Sequence, residues 1–261
     1  MGELELLQAE VARLKAELAE TKAVSQQYLQ NVAHQLTAPL GSIKWSIEAL
    51  KDERVPITRK GVLLRSIYSQ ATILVHLIKN FALMSNLEAD HELGQFREKP
   101  EPIDVMRLAI NLANDFQPQA HDARIKIDVD NDSFKRVFGA HSLKIEKNLV
   151  AQAVSNIIEN AVKYADQDTT VLISASSKGE HVCIQIESLG IPITEEEKKN
   201  IFQRGVRGQS AKQKVPAGTG IGLYLASRVM KFHGGHIDVE TDGKHSRFTL
   251  VFPRNRLAKG H

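Results

Sequence analysis

The sequence has little cysteine, little net charge and no long apolar run. Its one cysteine, Cys183, excludes an internal disulfide framework and favours a reducing, cytoplasmic location. A net charge of +3 is too small to indicate a nucleic acid partner. No apolar stretch approaches the roughly 18 residues that span a membrane. We therefore expect no membrane segment in this chain and place any sensor or anchor outside it.

What the N-terminus does contain is a heptad pattern. Apolar residues alternate steps of three and four, with Glu and Lys around them: Leu4, Leu7, Val11, Leu14 and Leu18. This a/d spacing is typical of a coiled coil and predicts a dimerisation helix over residues 1–24. The pattern covers only about two heptads, and its regularity also fits a grafted dimerisation helix.

Two amphipathic helices follow, separated by the polar turn 51–61. One apolar stripe runs from Val32 to Leu50 and a second from Leu64 to Phe81. Each apolar face is too wide for one hairpin to cover. We therefore predict that residues 25–96 form an all-α hairpin that dimerises into a four-helix bundle.

The second half of the chain changes to mixed strands and helices, and its length and ordinary composition leave room for such a second domain. Helical periodicity at 104–120 and 146–165 alternates with strand-like segments, and the last two strands meet at a turn pair, Asp242-Gly243. This order predicts an α+β domain over residues 100–254, followed by a tail, 255–261.

The segment "NVAHQLTAPLGSI" (31–43) places a histidine and a proline in one helix. At 100° per residue, His34 falls about 165° from the centre of the apolar stripe, so we expect it to face solvent. Pro39 cannot donate to the carbonyl of Gln35, which bends the helix beside the histidine. Trp45 near the same face indicates either a docking contact or packing against a partner helix. His76 shows no metal-ligand spacing and is interpreted as an ordinary polar residue.

A glycine-rich loop, "GTGIGL" (218–223), precedes an apolar helix. Its amides and the helix N-terminus suit a phosphate, although a flexible loop has the same composition. No Walker loop occurs in the sequence, and the spacing is not that of a dinucleotide-binding fingerprint.

The segment "NIIENAVKYA" (156–165) carries a polar helical face. Asn156, Glu159, Asn160 and Lys163 fall at i, i+3, i+4 and i+7. Asn carbonyls suit Mg²⁺ and Lys suits phosphate. The alternative is an amphipathic helix with a solvated face.

These motifs, with "IFQRGVRG" between the last two, stand in the order typical of sensor histidine kinases, and the chain resembles that family over about residues 25–254. The resemblance implies a multi-domain protein: a dimerisation and phosphotransfer hairpin, then an α/β sandwich ATP-binding domain of the GHKL type. It implies ATP and Mg²⁺ as cofactors, a homodimer, and the receiver domain of a response regulator as partner.

The resemblance also assigns roles to residues. Asn160, with Asn156 nearby, would ligate Mg²⁺, and a lid at about 203–217 would close over the triphosphate. Arg204 or Arg207 would reach phosphate oxygens or else belong to a solvated loop. The implied catalytic residues are His34, Gln35, Asn156 and Lys163. The implied nucleotide-site residues are Asn160, Tyr164, Ser188, Gly190, Arg204, Arg207, Gly218, Thr219, Gly220, Gly222 and Leu223.

Three departures from the family pattern weaken the implied activity. Ser188 stands where the family has an Asp that binds the adenine amino group, and Glu187 points to the other side of the strand. Gln35 replaces the acid that follows the histidine, and Ala38 replaces a polar residue linked to phosphatase activity. We expect weak ATP binding, slow autophosphorylation of His34 and little phosphatase activity. The alternative is a degenerate kinase that acts as a dimeric scaffold for a regulator.

Overall fold

A computed structural model describes residues 3–52, 54–90, 99–215 and 218–259. The chain begins with a helical hairpin, formed by α1 (Glu3–Leu50) and α2 (Ile57–Asp90). Helix α1 runs through Pro39 without ending, so the boundary predicted at residue 24 lies inside one continuous helix.

The second part alternates strands and helices. Its elements are β1 (Glu101–Ile103), α3 (Val105–Asp122), β2 (Lys126–Val129), α4 (Asn131–Phe138), β3 (His141–Ile145), α5 (Lys147–Tyr164), β4 (Thr170–Lys178), β5 (His181–Leu189), α6 (Glu195–Asn200), α7 (Gln209–Lys214), α8 (Gly222–Phe232), β6 (His236–Asp242), β7 (His245–Pro253) and β8 (Leu257–Lys259).

Two sheets organise this domain. The larger has the order β2-β4-β5-β7-β6, with β2 parallel to β4 and the other neighbours antiparallel. The smaller has the order β1-β3-β8. Because Leu257–Lys259 pairs with β3, the segment 255–261 is not simply a tail. Its three-residue strand is too short to show the alternation by which strands are predicted.

Local capping fixes where the helices of the domain begin. The carboxylate of Glu146 accepts hydrogen bonds from the backbone nitrogens of Asn148 (3.0 Å) and Leu149 (2.6 Å), which starts α5. Thr194 and Glu197 form a reciprocal capping box at the start of α6. The point at which α5 begins fixes the direction in which its polar face, with Asn156, Asn160 and Lys163, is turned.

Helix α2 has an unexpectedly apolar composition. Within the described residues its stretch Ile57–Ser85 is long and apolar enough to span a membrane by length and composition alone, and 17% of its most apolar window is buried. The sequence has no uninterrupted apolar run of that length, and the absence of a membrane segment stays a prediction. A bundle helix that covers several neighbours has the same composition.

Helix α2 also packs on the second domain. Leu83 and Met84 are buried in the same core as the domain, together with Val32 of α1. The interpretation of His76 as an ordinary polar residue was wrong: it is buried, and its ring stacks on Phe116 of α3 with centroids 4.8 Å apart. Only tertiary packing could reveal this burial.

Acidification should weaken the packing around His76. Burial, and then the charge of Lys79, lower the pKa of His76 from 6.5 to about 4. The unfolded chain therefore binds more protons between these values, so stability falls as the pH drops from 6.5 through 4, by about 3 kcal/mol in all. Asp115 of α3 lines one cavity with His76 and Lys79. Burial raises the pKa of the Asp115 carboxyl, and the charge of Lys79 opposes that rise.

A neutral variant isolates this effect. In His76→Gln we expect the free energy of unfolding to fall less between pH 7 and pH 4 than in the wild type, because glutamine does not titrate. The contribution of Asp115 is present in both proteins and cancels in the comparison. The control is His121→Gln, at an exposed position of α3. Parallel pH profiles for wild type and His76→Gln in chemical denaturation would contradict the prediction.

Candidate nucleotide and phosphotransfer site

One cleft lies between α5, α8, the end of β5, the lid segment and the hairpin. It contains most of the residues predicted for the nucleotide site, and the structure brings these together: Gln35, Asn156, Asn160, Lys163, Tyr164, Ser188, Gly190, Arg207, Gly218, Thr219, Gly220, Gly222 and Leu223. His34 and Arg204 do not line it. His34 is exposed, as its helical phase predicts.

One end of the cleft is polar. It carries the amides of Asn156 and Asn160, the ammonium of Lys163 and the glycine-rich loop. Burial raises the pKa of the Glu159 carboxyl at this end, and the charge of Lys163 opposes that rise.

The glycine-rich loop presents backbone donors to this polar end. Gly220 has φ +67°, and a Cβ there would lie 2.7 Å from the carbonyl carbon of Gly205, so the close approach requires glycine. With its amide oriented to pair with the loop, the Gln35 side-chain oxygen accepts from the nitrogens of Gly218 (3.1 Å) and Thr219 (3.0 Å). An oxygen of the hairpin thus occupies an arrangement of amides that suits an anion.

The other end of the cleft is mainly apolar. Its walls carry Ile191, Pro192 and Phe248, which suit a flat aromatic group. Two buried hydroxyls lie there, with Ser188 Oγ and Ser246 Oγ 3.2 Å apart. A hydroxyl both donates and accepts hydrogen bonds, so neither serine selects for a donor or an acceptor group on a ligand.

Asn156 is held by a buried amide network that sequence reasoning missed. Its Oδ1 accepts from Asn80 Nδ2 of α2 at 2.8 Å, and its Nδ2 donates to the carbonyl of Gly222 at 3.1 Å. Gln152 Nε2 donates to Asn80 Oδ1 at 2.8 Å. Asn80 is 76 residues from Asn156, and no sequence spacing indicates this contact.

The lid segment is anchored at several points. Arg207 donates to the carbonyls of Gly218 (3.4 Å), Ala211 (3.1 Å) and Val215, so its guanidinium braces the lid. Lys214 Nζ donates to the carbonyls of Tyr164 (2.9 Å) and Ala165 (2.7 Å), which ties the lid to the end of α5.

Comparison with known proteins gives the family. Residues 145–256 match the family described as histidine kinase-, DNA gyrase B-, and HSP90-like ATPase. The circadian input-output histidine kinase CikA of Synechococcus elongatus is 29% identical over 90% of this chain and 31% of its own length. The sensor-like histidine kinase SenX3 of Mycobacterium tuberculosis is 26% identical over 92% of this chain and 56% of its own length.

Residues 145–256 thus form an ATPase domain of this family, and nearly the whole chain is similar to sensor histidine kinases. Solved structures of histidine kinases share the fold of this chain. ShkA in complex with AMPPNP aligns with a TM-score of 0.56 at 20% identity, over 90% of this chain and 46% of ShkA. The Acinetobacter baumannii histidine kinase AdeS aligns with a TM-score of 0.51 at 19% identity, over 85% of this chain and 98% of that chain.

These likenesses confirm the predicted GHKL-type α/β domain with helices before it. The chain spans about a third of the length of CikA and just over half that of SenX3. Its own phosphotransfer, metal site and partners are therefore matters of proposal.

Proposed function

We propose that the chain is an ATP-dependent protein-histidine kinase. It transfers the γ-phosphoryl group of ATP to His34 and then to an aspartate of a response-regulator receiver domain. The observation that carries this proposal is the contact of Gln35 with the glycine-rich loop, because the residue next to the exposed histidine touches the polar end of the cleft.

The polarity of the cleft supports a nucleotide as its ligand. The apolar end would receive the base beside Tyr164, and the polar end would receive the phosphates, with Lys163 and the loop amides neutralising their charge. Mg²⁺ would neutralise phosphate charge further. The Asn160 carbonyl is the ligand type that Mg²⁺ accepts; Asn156 Oδ1 would first have to exchange its hydrogen bond from Asn80.

The hairpin supports a homodimer. Large apolar side chains are exposed along both helices of the single chain, including Leu40, Ile47, Leu64 and Ile78. A second hairpin would cover them in a four-helix bundle, and the a/d seam ahead of it would continue the dimer as a coiled coil. Trp45, 58% exposed, lies outside the packing within one chain and fits a contact with a partner. We also propose a cytoplasmic location, which fits the single cysteine of the chain.

The departures at Gln35, Ala38 and Ser188 are expected to lower the activity of the kinase. Gln35 accepts hydrogen bonds from the loop but cannot take up a proton, and general base help is typically worth about 10²–10⁴-fold. We therefore propose slow autophosphorylation and weak phosphatase activity. The same departures favour the second candidate, a scaffold with little or no turnover.

Incubation with γ-labelled ATP and Mg²⁺ separates the two candidates. A kinase gives acid-labile, base-stable label that disappears in His34→Ala. The control is His141→Ala, outside the cleft, which keeps the label. An unlabelled wild type at saturating nucleotide would overturn the kinase and leave the scaffold.

We expect Ser188→Asp to tighten ATP binding about tenfold, because hydrogen bonds to charged groups contribute more than neutral ones. We also expect the preference for ATP over GTP to rise, because a carboxylate only accepts, and position 6 of the base is a donor amino group in adenine but an acceptor carbonyl in guanine. Ser174→Asp, on β4 outside the cleft, is the control. Competition of both nucleotides against a fluorescent analogue measures the change, and equal ATP affinity in Ser188→Asp and wild type would contradict the assignment of the base end.

A further inference from the structure

Helix α2 meets the nucleotide cleft of its own chain through an amide network. Asn80 donates to Asn156 and accepts from Gln152, both at 2.8 Å. Asn156 and Gln152 are 2% and 6% exposed. Buried amides need their partners in defined positions, so this network specifies one way of seating α2 on α5.

Helix α1 meets the same cleft through Gln35. Its side-chain oxygen accepts from two amides of the glycine-rich loop. Consecutive Cα atoms lie 3.8 Å apart, so the backbone of His34 is within one residue of the contact. Both helices of the hairpin therefore reach the polar end of the cleft that belongs to their own chain.

The packing near the end of α2 ties the domain to its own hairpin. Leu83 and Met84 lie within two turns of Asp90, where α2 ends, and both are buried in the core shared with the domain. His76 stacks on Phe116 about two turns earlier. This packing seats the domain on the last turns of the helix that leads into it, beside its own hairpin.

We propose that each hairpin presents His34 to the nucleotide bound in its own chain, and that Asn80 is the positioning residue that holds this arrangement. Phosphorylation then runs in cis within the dimer. The inference rests on the proposed kinase function and names its acceptor, the histidine of the same chain.

The transfer itself balances without a further co-reactant. A ring nitrogen of His34 gives its lone pair to the γ-phosphorus, and a nitrogen–phosphorus bond forms. The bond from that phosphorus to the β,γ-bridging oxygen breaks, and ADP leaves with the electron pair. The proton on the other ring nitrogen passes to water, because Gln35 cannot accept it.

Isotope-resolved cross-linking tests the seating without catalysis. Cys183→Ala removes the native thiol, and Gln35→Cys with Thr219→Cys places two thiols across the contact. Light and heavy chains are mixed, dimerised and treated with a short bis-maleimide. The proposal expects light–light and heavy–heavy peptide pairs only. Light–heavy pairs at about half of the total, the share that random mixing gives a link between chains, would overturn it.

Asn80→Ala in this background tests the positioning residue. We expect the cross-link yield to fall about tenfold, which is what loss of two hydrogen bonds implies. Asn80→Gln, which keeps the amide, should restore part of the yield. Ser85→Ala, exposed on the same helix, should leave it unchanged. A yield in Asn80→Ala equal to that of Ser85→Ala would remove Asn80 from the proposal.

Heterodimers carry the test to phosphorylation. One chain carries His34→Gln and the other Asn160→Ala, and differently tagged pairs are purified. Transfer in cis predicts no label above the two parent homodimers, whereas label on the Asn160→Ala chain would establish transfer in trans and overturn the proposal. Failure of the kinase function is distinguishable from failure of the cis arrangement. An unlabelled wild-type homodimer overturns the kinase function alone, because cross-linking tests how the hairpin is seated without any phosphorylation.

Discussion

Replacing Gln35 by glutamate should raise the rate of autophosphorylation at saturating ATP by about 10²-fold, the lower part of the range for general base help. A carboxylate beside His34 would take up the ring proton that otherwise passes to water. The same carboxylate would bind the amides of Gly218 and Thr219 more strongly than the Gln35 oxygen does. It would then compete with phosphate oxygens for the loop, so we also expect a higher KM for ATP.

Initial rates of histidine labelling over a range of ATP concentrations measure both effects. Gln35→Ala is the matched control, because it removes the loop contact without adding a base, and its maximal rate should not rise. An unchanged or lower maximal rate in Gln35→Glu would mean that Gln35 is not a missing base.

Replacing Gly190 by alanine should destabilise the catalytic domain by about 3 kcal/mol or more, at the upper end of overpacking effects. A Cβ at this position would lie 2.1 Å from the Tyr164 carbonyl oxygen and 2.8 Å from the Ala165 Cα. Both are backbone atoms, so no side chain can rotate away. The end of β5 would have to move away from the end of α5, which separates the two walls of the base end of the cleft.

Urea unfolding and nucleotide titration of Gly190→Ala measure this effect together. Gly41→Ala is the control, because a Cβ there meets nothing within 4 Å inside a helix. It should stabilise slightly, by about 0.5–1 kcal/mol. A free energy of unfolding for Gly190→Ala within 0.5 kcal/mol of the wild type would show that the backbone adjusts freely.

The parts of the fold that sequence predicts are those with a long repeating pattern. The helical stripe of the hairpin, the polar face of α5 and the alternation of β4 and β5 each extend over several repeats, and each element lies where its pattern indicates. Strands β1 and β8 have three residues each and helix α4 has eight, too few for a period to emerge.

The candidate site divides in a similar way. Residues within one motif, such as Asn156 and Asn160, share a cleft because one helix carries them. Contacts between distant motifs had no signal: Asn80 with Asn156, Ser188 with Ser246, and His76 on Phe116 join residues that only the tertiary fold brings together. The interpretation of His76 was wrong because metal-ligand spacing carries no information on burial.

Because α1 is continuous from Glu3 to Leu50, a rotation about its axis can pass from its first turns to His34. At 100° per residue, each residue inserted ahead of the histidine turns everything N-terminal to it by about 100° relative to His34, and seven residues nearly restore the phase. A rotation applied to the first turns would arrive at Gln35 as a rotation and lift its oxygen from the loop amides. The rotational phase of a segment joined ahead of α1 would therefore set the fraction of molecules in which His34 faces the nucleotide of its own chain.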